Sequence, residues 1–176
     1  MPTNVEIKAI LTDRAAADRI AARLSDAGPE VIQQEDHFFS CASARLKLRI
    51  LAPDCGELIR YDRNNLAEAR PSNYLIARTT DPHILLEILT AALGRSGSVK
   101  KSRKLYLVGQ TRIHLDQVEG LGDFLELEVV LRPGQSEAEG KSIAAQLLSE
   151  FEINQHQLLA DGYIDLLQRQ ASPTET

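Results

Sequence analysis

The residues able to do chemistry in this chain sit at alternate positions of short strand-like segments, and they are sorted by sign. Arg45, Lys47 and Arg49 alternate with Leu46, Leu48 and Ile50, and Lys101 and Arg103 share one parity further on. Arg112, His114 and Asp116 flank Ile113 and Leu115, and Glu126 and Glu128 sit between Leu125, Leu127 and Val129. Glu6 and Lys8 repeat the spacing near the N-terminus. Residues two apart on a strand point the same way, so each segment presents its ionisable groups on one face. Arg and Lys in such numbers suit phosphate. Carboxylates at i and i+2 offer hard oxygen ligands suited to Mg²⁺ or Mn²⁺. Cationic strands beside an acidic one form an arrangement fit for a metal–polyphosphate substrate. The plainer alternative is a solvated face of cross-strand Glu–Lys pairs, each stabilising by ~0.2–1 kcal/mol.

Positioning these groups requires strands, and alternation predicts eight: 4–11, 33–40, 44–51, 56–63, 73–80, 99–108, 111–118 and 124–131. Helices are expected over 13–27, capped at Thr12-Asp13 and ended by Gly28-Pro29, and over 81–93, stopped by Gly94. A third runs from Ser136 to about Phe151 with Glu139 as capping-box partner, and 154–170 reads as helical with a break near Gly162. The fold class is therefore α+β, with an eight-stranded antiparallel β-barrel decorated by helices. Periodicity alone does not separate this from an open sheet with helices on one face. Helix stripes such as Ile20, Leu24 and Ala27 can cover only the Leu/Ile/Val strand faces. In a closed barrel the charged faces then line a tunnel. Cationic strands converging there would repel one another unless a polyanion entered.

The chain's 176 residues suit one domain, read as 1–170 with a disordered tail at 171–176. Twenty Lys plus Arg against 25 Asp plus Glu give a net charge of -5, which argues against a nonspecific nucleic-acid binder while allowing a local basic cavity. No apolar run reaches the ~18 residues needed to cross a bilayer. The N-terminus has no signal-peptide pattern, so a cytoplasmic protein is expected. Cys41 and Cys55 are too few for a disulfide scaffold or zinc site and are read as reduced. No Gly-rich phosphate loop is present, so phosphate binding must come from side chains. His37, beside Phe38-Phe39, could stack on a base but reads better as a structural histidine, and Tyr163 reads better as packing than as a closure of the barrel mouth. His114 shares the parity of Arg112 and Asp116 and is a candidate for the tunnel lining, though a histidine without ligand contact is the better reading.

Taken in order, the segments resemble a known family. Asn4-Val5-Glu6-Ile7-Lys8 is similar to the E-x-E-x-K signature of the CYTH proteins, the triphosphate tunnel metalloenzymes. The match continues through 45–49, 56–59, Lys101-Ser102-Arg103, 111–116, 122–128 and 162–167, and the class IV adenylyl cyclase branch is the most similar. The resemblance implies an eight-stranded tunnel, a triphosphate substrate such as ATP, thiamine triphosphate or inorganic tripolyphosphate, and Mg²⁺ or Mn²⁺ as cofactor. It implies metal ligation by Glu6, Glu126, Glu128 and Asp116. It implies phosphate contacts from Lys8, Arg45, Lys47, Arg49, Lys101, Arg103 and Arg112, with Arg78 as a further candidate. Lys8, Arg103 and Asp116 are the residues expected to take part in catalysis. The leading reaction is ATP to cyclic AMP and pyrophosphate; the alternatives are a triphosphatase in the same tunnel and a polyphosphate- or nucleotide-binding module without turnover. The expected partner is the small-molecule triphosphate, with no nucleic acid and no membrane, and a homodimer is compatible. One departure stands out: Asn4 occupies the place of the first signature Glu and removes an anionic ligand. Arg60 and Arg63 fall on opposite faces of the fourth strand, so one of them faces the tunnel.

Overall fold

A computed structural model describes residues 3–42, 44–62 and 70–171. Eight strands are β1 (Thr3–Ile10), β2 (Ala27–Phe39), β3 (Arg45–Ala52), β4 (Cys55–Asp62), β5 (Arg70–Thr79), β6 (Arg95–Val108), β7 (Thr111–Val118) and β8 (Gly122–Val130). Four helices are α1 (Arg14–Leu24), α2 (Pro82–Leu93), α3 (Glu137–Glu150) and α4 (Tyr163–Ala171). The strands close into an antiparallel barrel in the order β1-β5-β4-β3-β2-β6-β7-β8, and β8 returns to β1. The open sheet left standing by periodicity is thereby excluded.

The outer apolar faces of β1, β6, β7 and β8 make the main core. Val5, Ala9, Ile113, Leu115, Leu125, Leu127 and Val129 pack there with Ala17 and Ala21 of α1 and Ala144 and Leu147 of α3. Asp13 caps α1 by accepting from the Ala16 amide, and Ser136 with Glu139 forms the expected capping box on α3. Gly140 lets α3 lie against the barrel, because a Cβ there would come within 2.7 Å of Val5. Asp18 ties α1 to β6 through Lys104 and Tyr106.

Strands β2, β5 and β6 begin earlier than expected, at Ala27, Arg70 and Arg95, and two further differences have a clear structural cause. Gly28-Pro29 does not end a helix; α1 stops at Leu24, and the Gly-Pro pair lies inside β2 at an irregularity in its pairing with β6. Gly28 takes φ 121° there, and a side chain would meet the Leu105 carbonyl at 2.8 Å, so glycine marks a bulge and close approach. The stretch 154–170 is not one broken helix. After a 3₁₀ turn at Gln155–Gln157 the chain spends its backbone groups on β1, with Leu158 bridging Ala9 and the Leu159 amide donating to the Lys8 carbonyl. Helix resumes only at Tyr163.

Cys41 and Cys55 are free and exposed. Among the described residues no helix is long and apolar enough to cross a membrane. Ala171 closes α4, and the rest of the expected tail lies outside the described residues.

Candidate functional site

The barrel encloses a cavity of about 600 Å³. Its lining follows the parity read from the sequence. Asn4, Glu6 and Lys8 come from β1, Lys47 and Arg49 from β3, Lys101 and Arg103 from β6, Arg112 and His114 from β7, and Glu126 and Glu128 from β8. The register puts them side by side: Lys8 and His114 flank Glu126 across β1-β8-β7, and Glu6 and Arg112 flank Glu128 one rung away.

Charge is intermixed and largely paired. Arg103 donates from Nε and Nη2 to the two oxygens of Asp116 at 2.6 Å each. Lys101 Nζ, at 3.2 Å, and the Tyr163 hydroxyl, at 2.9 Å, both donate to Asp116 Oδ2. On the other side Asp36 accepts from Lys47 at 2.8 Å and from Arg49 at 2.8 and 3.0 Å. Lys8 Nζ and Arg103 Nη2 approach Glu126 Oε2 at 3.4 and 3.5 Å. Arg112 donates to Glu128 at 2.8 Å. The self-repulsion expected of converging cations is thus answered from within, by carboxylates set into the basic walls.

These neighbours shift protonation. Burial would raise the Asp36 carboxyl, but Arg49 and Lys47 overcome it and hold it well below the ordinary range. Burial opposes ionisation of Glu126 too, and Lys8 and Arg103 prevail. Burial and then Arg103 push Lys101 down to about 7 and His114 down to about 4. Burial and the Asp116 charge raise the Tyr163 hydroxyl well above its usual value.

His114, Glu126 and Glu128 gather one ligand atom each within 4.8 Å of one another, a grouping able to hold a metal ion. The donor set fits a divalent cation: two carboxylates and an imidazole whose Nδ1 is buried without a hydrogen-bond partner. Asn4 Oδ1 is likewise buried in the cavity wall and unpartnered. Asp116, expected among the ligands, stands apart from this group; it is fully buried, and its oxygens already accept from Arg103, Lys101 and Tyr163.

Not every expected phosphate contact reaches the cavity. Arg45 donates from Nη1 to both carboxylate oxygens of Asp165 of α4, at 2.9 and 3.1 Å, and Arg78 is exposed beyond the lining. Ile59 and Tyr61 face inward on β4, so Arg60 points out and bonds Asp62, while Arg63 lies outside the described residues. His37 lies on the outer face of β2 with Nε2 3.2 Å from Glu35, as a structural histidine should.

Sequence reasoning passed over Asp36, Gln34, Tyr61 and Tyr74, all of which line the cavity. The signal for Asp36 was available: it shares parity with Gln34 and Phe38. Tyr163 does more than pack. Its ring touches Phe124 at 4.9 Å between centroids, lies 3.7 Å from Lys8 Nζ, and helps line the cavity.

No curated protein matches the chain significantly by sequence. Solved structures do match in fold. A protein of Pyrococcus horikoshii superposes with TM-score 0.82 at 22% identity, covering 93% of this chain and 98% of that one. A candidate adenylate cyclase of Vibrio parahaemolyticus gives 0.75 at 20% identity, covering 94% and 97%. A candidate adenylyl cyclase from Hippeastrum, described as having a dominant triphosphatase activity, gives 0.64 at 17% identity over 99% of both chains. The sequence profile of the CYTH domain matches residues 2–163, and with the closed barrel and its charged lumen this makes the chain a member of the CYTH domain family, whose members act on triphosphates.

Proposed function

We propose that the protein is a metal-dependent enzyme that converts a nucleoside triphosphate, in the manner of a class IV adenylyl cyclase, with ATP giving cyclic AMP and pyrophosphate. The observation that carries this reading is one lumen lined together by the basic strands β3 and β6 and the acidic β8. A triphosphate needs the first and its cation the second.

Lys47, Arg49, Lys101 and Arg103 bind the phosphate oxygens and neutralise the charge that collects on departing pyrophosphate. Asp116 acts as a positioning residue, holding the Arg103 fork and Lys101 in one orientation so that little reorganisation is needed when substrate arrives. Glu126 and Glu128, with Glu6 on the adjoining strand, would hold the divalent cation. Bound there, the cation supplies Lewis-acid stabilisation of the phosphates. Lys8, beside Glu126 and over the Tyr163 ring, orients the attacking hydroxyl. Ile59, Tyr61, Tyr74 and Ile76 give the lumen an apolar and aromatic stretch suited to an organic group rather than to a bare polyphosphate.

A second reading, triphosphate hydrolysis in the same lumen, is favoured by Asn4. Its neutral side chain removes one anionic ligand, which would alter how the cation and the attacking oxygen are held. Turnover of ATP, thiamine triphosphate and tripolyphosphate with Mg²⁺ and with Mn²⁺, resolving cyclic AMP from orthophosphate, separates the two. Cyclic AMP with pyrophosphate supports the cyclase; orthophosphate from one preferred substrate supports the hydrolase. Glu126→Gln and Glu128→Gln should each lower turnover at least ~10²-fold. Full activity in both would remove these residues from the metal site.

A further inference from the structure

We propose that His114 supplies a nitrogen ligand to the cation held at Glu126 and Glu128, making a mixed imidazole–carboxylate centre that selects Mn²⁺, Co²⁺ or Zn²⁺ over Mg²⁺; this rests on the metal-dependent reading given above. His114 stands directly across β7-β8 from Glu126, and its Nδ1 lies 3.8 Å from Glu128 Oε1. That separation is too long for a hydrogen bond. It is short enough for one cation to touch both atoms through bonds of about 2.1 Å.

The imidazole is 3% exposed, lines the cavity, and leaves Nδ1 with no hydrogen-bond partner. Leaving a buried polar atom unpaired is costly, so a histidine kept only for packing would have been expected to find a partner. Nor does the position suit a phosphate oxygen, which would meet the Glu128 carboxylate as acceptor facing acceptor. A cation satisfies both groups at once. Asp116 cannot take the same place, since it is already committed to Arg103, Lys101 and Tyr163.

Imidazole suits first-row transition ions, whereas Mg²⁺ prefers carboxylate and water oxygen. Replacing the nitrogen should therefore cost transition-ion affinity far more than Mg²⁺ affinity. The test uses metal-free full-length protein and MnCl₂ without nucleotide. Electron spin-echo spectroscopy of wild type should show ¹⁴N coupling to Mn²⁺ that changes when histidine is ¹⁵N-labelled. In His114→Asn that coupling should vanish and Mn²⁺ affinity should fall about tenfold or more. Mg²⁺ affinity, read by competition, should fall much less. A wild-type spectrum without histidine nitrogen overturns the assignment without relying on any variant's folding, and so does an equal loss for both ions. Glu126→Gln and Glu128→Gln separate the two levels. If both bind Mn²⁺ like wild type, the metal site itself is misplaced; if they lose Mn²⁺ while wild type lacks nitrogen coupling, only the role of His114 falls.

Discussion

The two halves of the barrel wall are built differently. Strands β1, β6, β7 and β8 are packed on the outside by α1 and α3 and on the inside by paired charges. In β7 six of eight residues are buried. The β4–β5 side is thin: Leu75, Ile76, Ala77 and Arg78 of β5 are exposed, and α2 leaves Ile84 and Ile88 57% exposed. The covered wall carries His114, Glu126, Glu128, Lys101, Arg103 and Asp116, and the proposed chemistry would need such charges held to within about 0.5 Å. The thin wall carries Tyr61, Tyr74, Ile59 and Ile76, which need only offer apolar surface. Burial is concentrated around the charged cluster and is thinner on the β4–β5 side, so local opening is expected there first.

Asp116→Asn should break that division hardest. It removes the carboxylate that Arg103 and Lys101 share, leaving Arg103 only its longer contact to Glu126, and breaking such a buried pair typically costs about 3–5 kcal/mol. For a chain of this size the melting temperature should drop by roughly 6–20 °C. Thermal unfolding followed by circular dichroism checks this. A drop of a degree or less would mean that the buried cluster does not hold the covered wall together.

Much of this division is legible in the sequence, and the rest is hidden for physical reasons. Strict alternation at 45–50 and 125–129 reveals both strand and facing, because a one-residue slip would move every charge into the apolar layer. Closure of the barrel follows less from alternation than from helices that need an apolar face to cover. Asp36 escapes because its parity partners, Gln34 and Phe38, are not ionisable, while the opposite face of the same segment carries Glu35 and His37 and so draws the eye. The fate of Asp116 escapes for another reason. Spacing shows that a carboxylate faces inward, but only register shows that it stands opposite Arg103 and is saturated there. The extended chain after Gln157 is set by pairing with β1, a tertiary effect that local propensity does not carry.

Lys101 sharpens the comparison through pH. Burial and Arg103 bring it to about 7 from an ordinary 10.5, so between those values the folded chain binds fewer protons than the unfolded one. Stability from this group therefore rises with pH across that window. Affinity for a polyanion should move the opposite way as the ammonium is lost. One charged hydrogen bond contributes about 1.5–3 kcal/mol, so tripolyphosphate binding should weaken about tenfold or more from pH 6 to pH 9. Binding near pH 8 should take up a proton, read by calorimetry in buffers of different ionisation heat. Lys101→Arg should abolish both effects, and their persistence would assign the proton to another group or to the ligand.

The gentlest contrast is between apolar residues of the two walls. Leu127 on β8 is fully buried under α1 and α3, and truncation to Ala should cost about 2–5 kcal/mol. Leu75 on β5 is 54% exposed, and the same truncation should change stability by no more than about 0.5 kcal/mol. Hydrogen exchange on the unsubstituted protein makes the same comparison without a mutation: β7 amides should open only with global unfolding, and β5 amides well before it. If β5 instead proves as protected as β7, the two walls are equally stable despite their different outer cover, and the contrast drawn from burial fails.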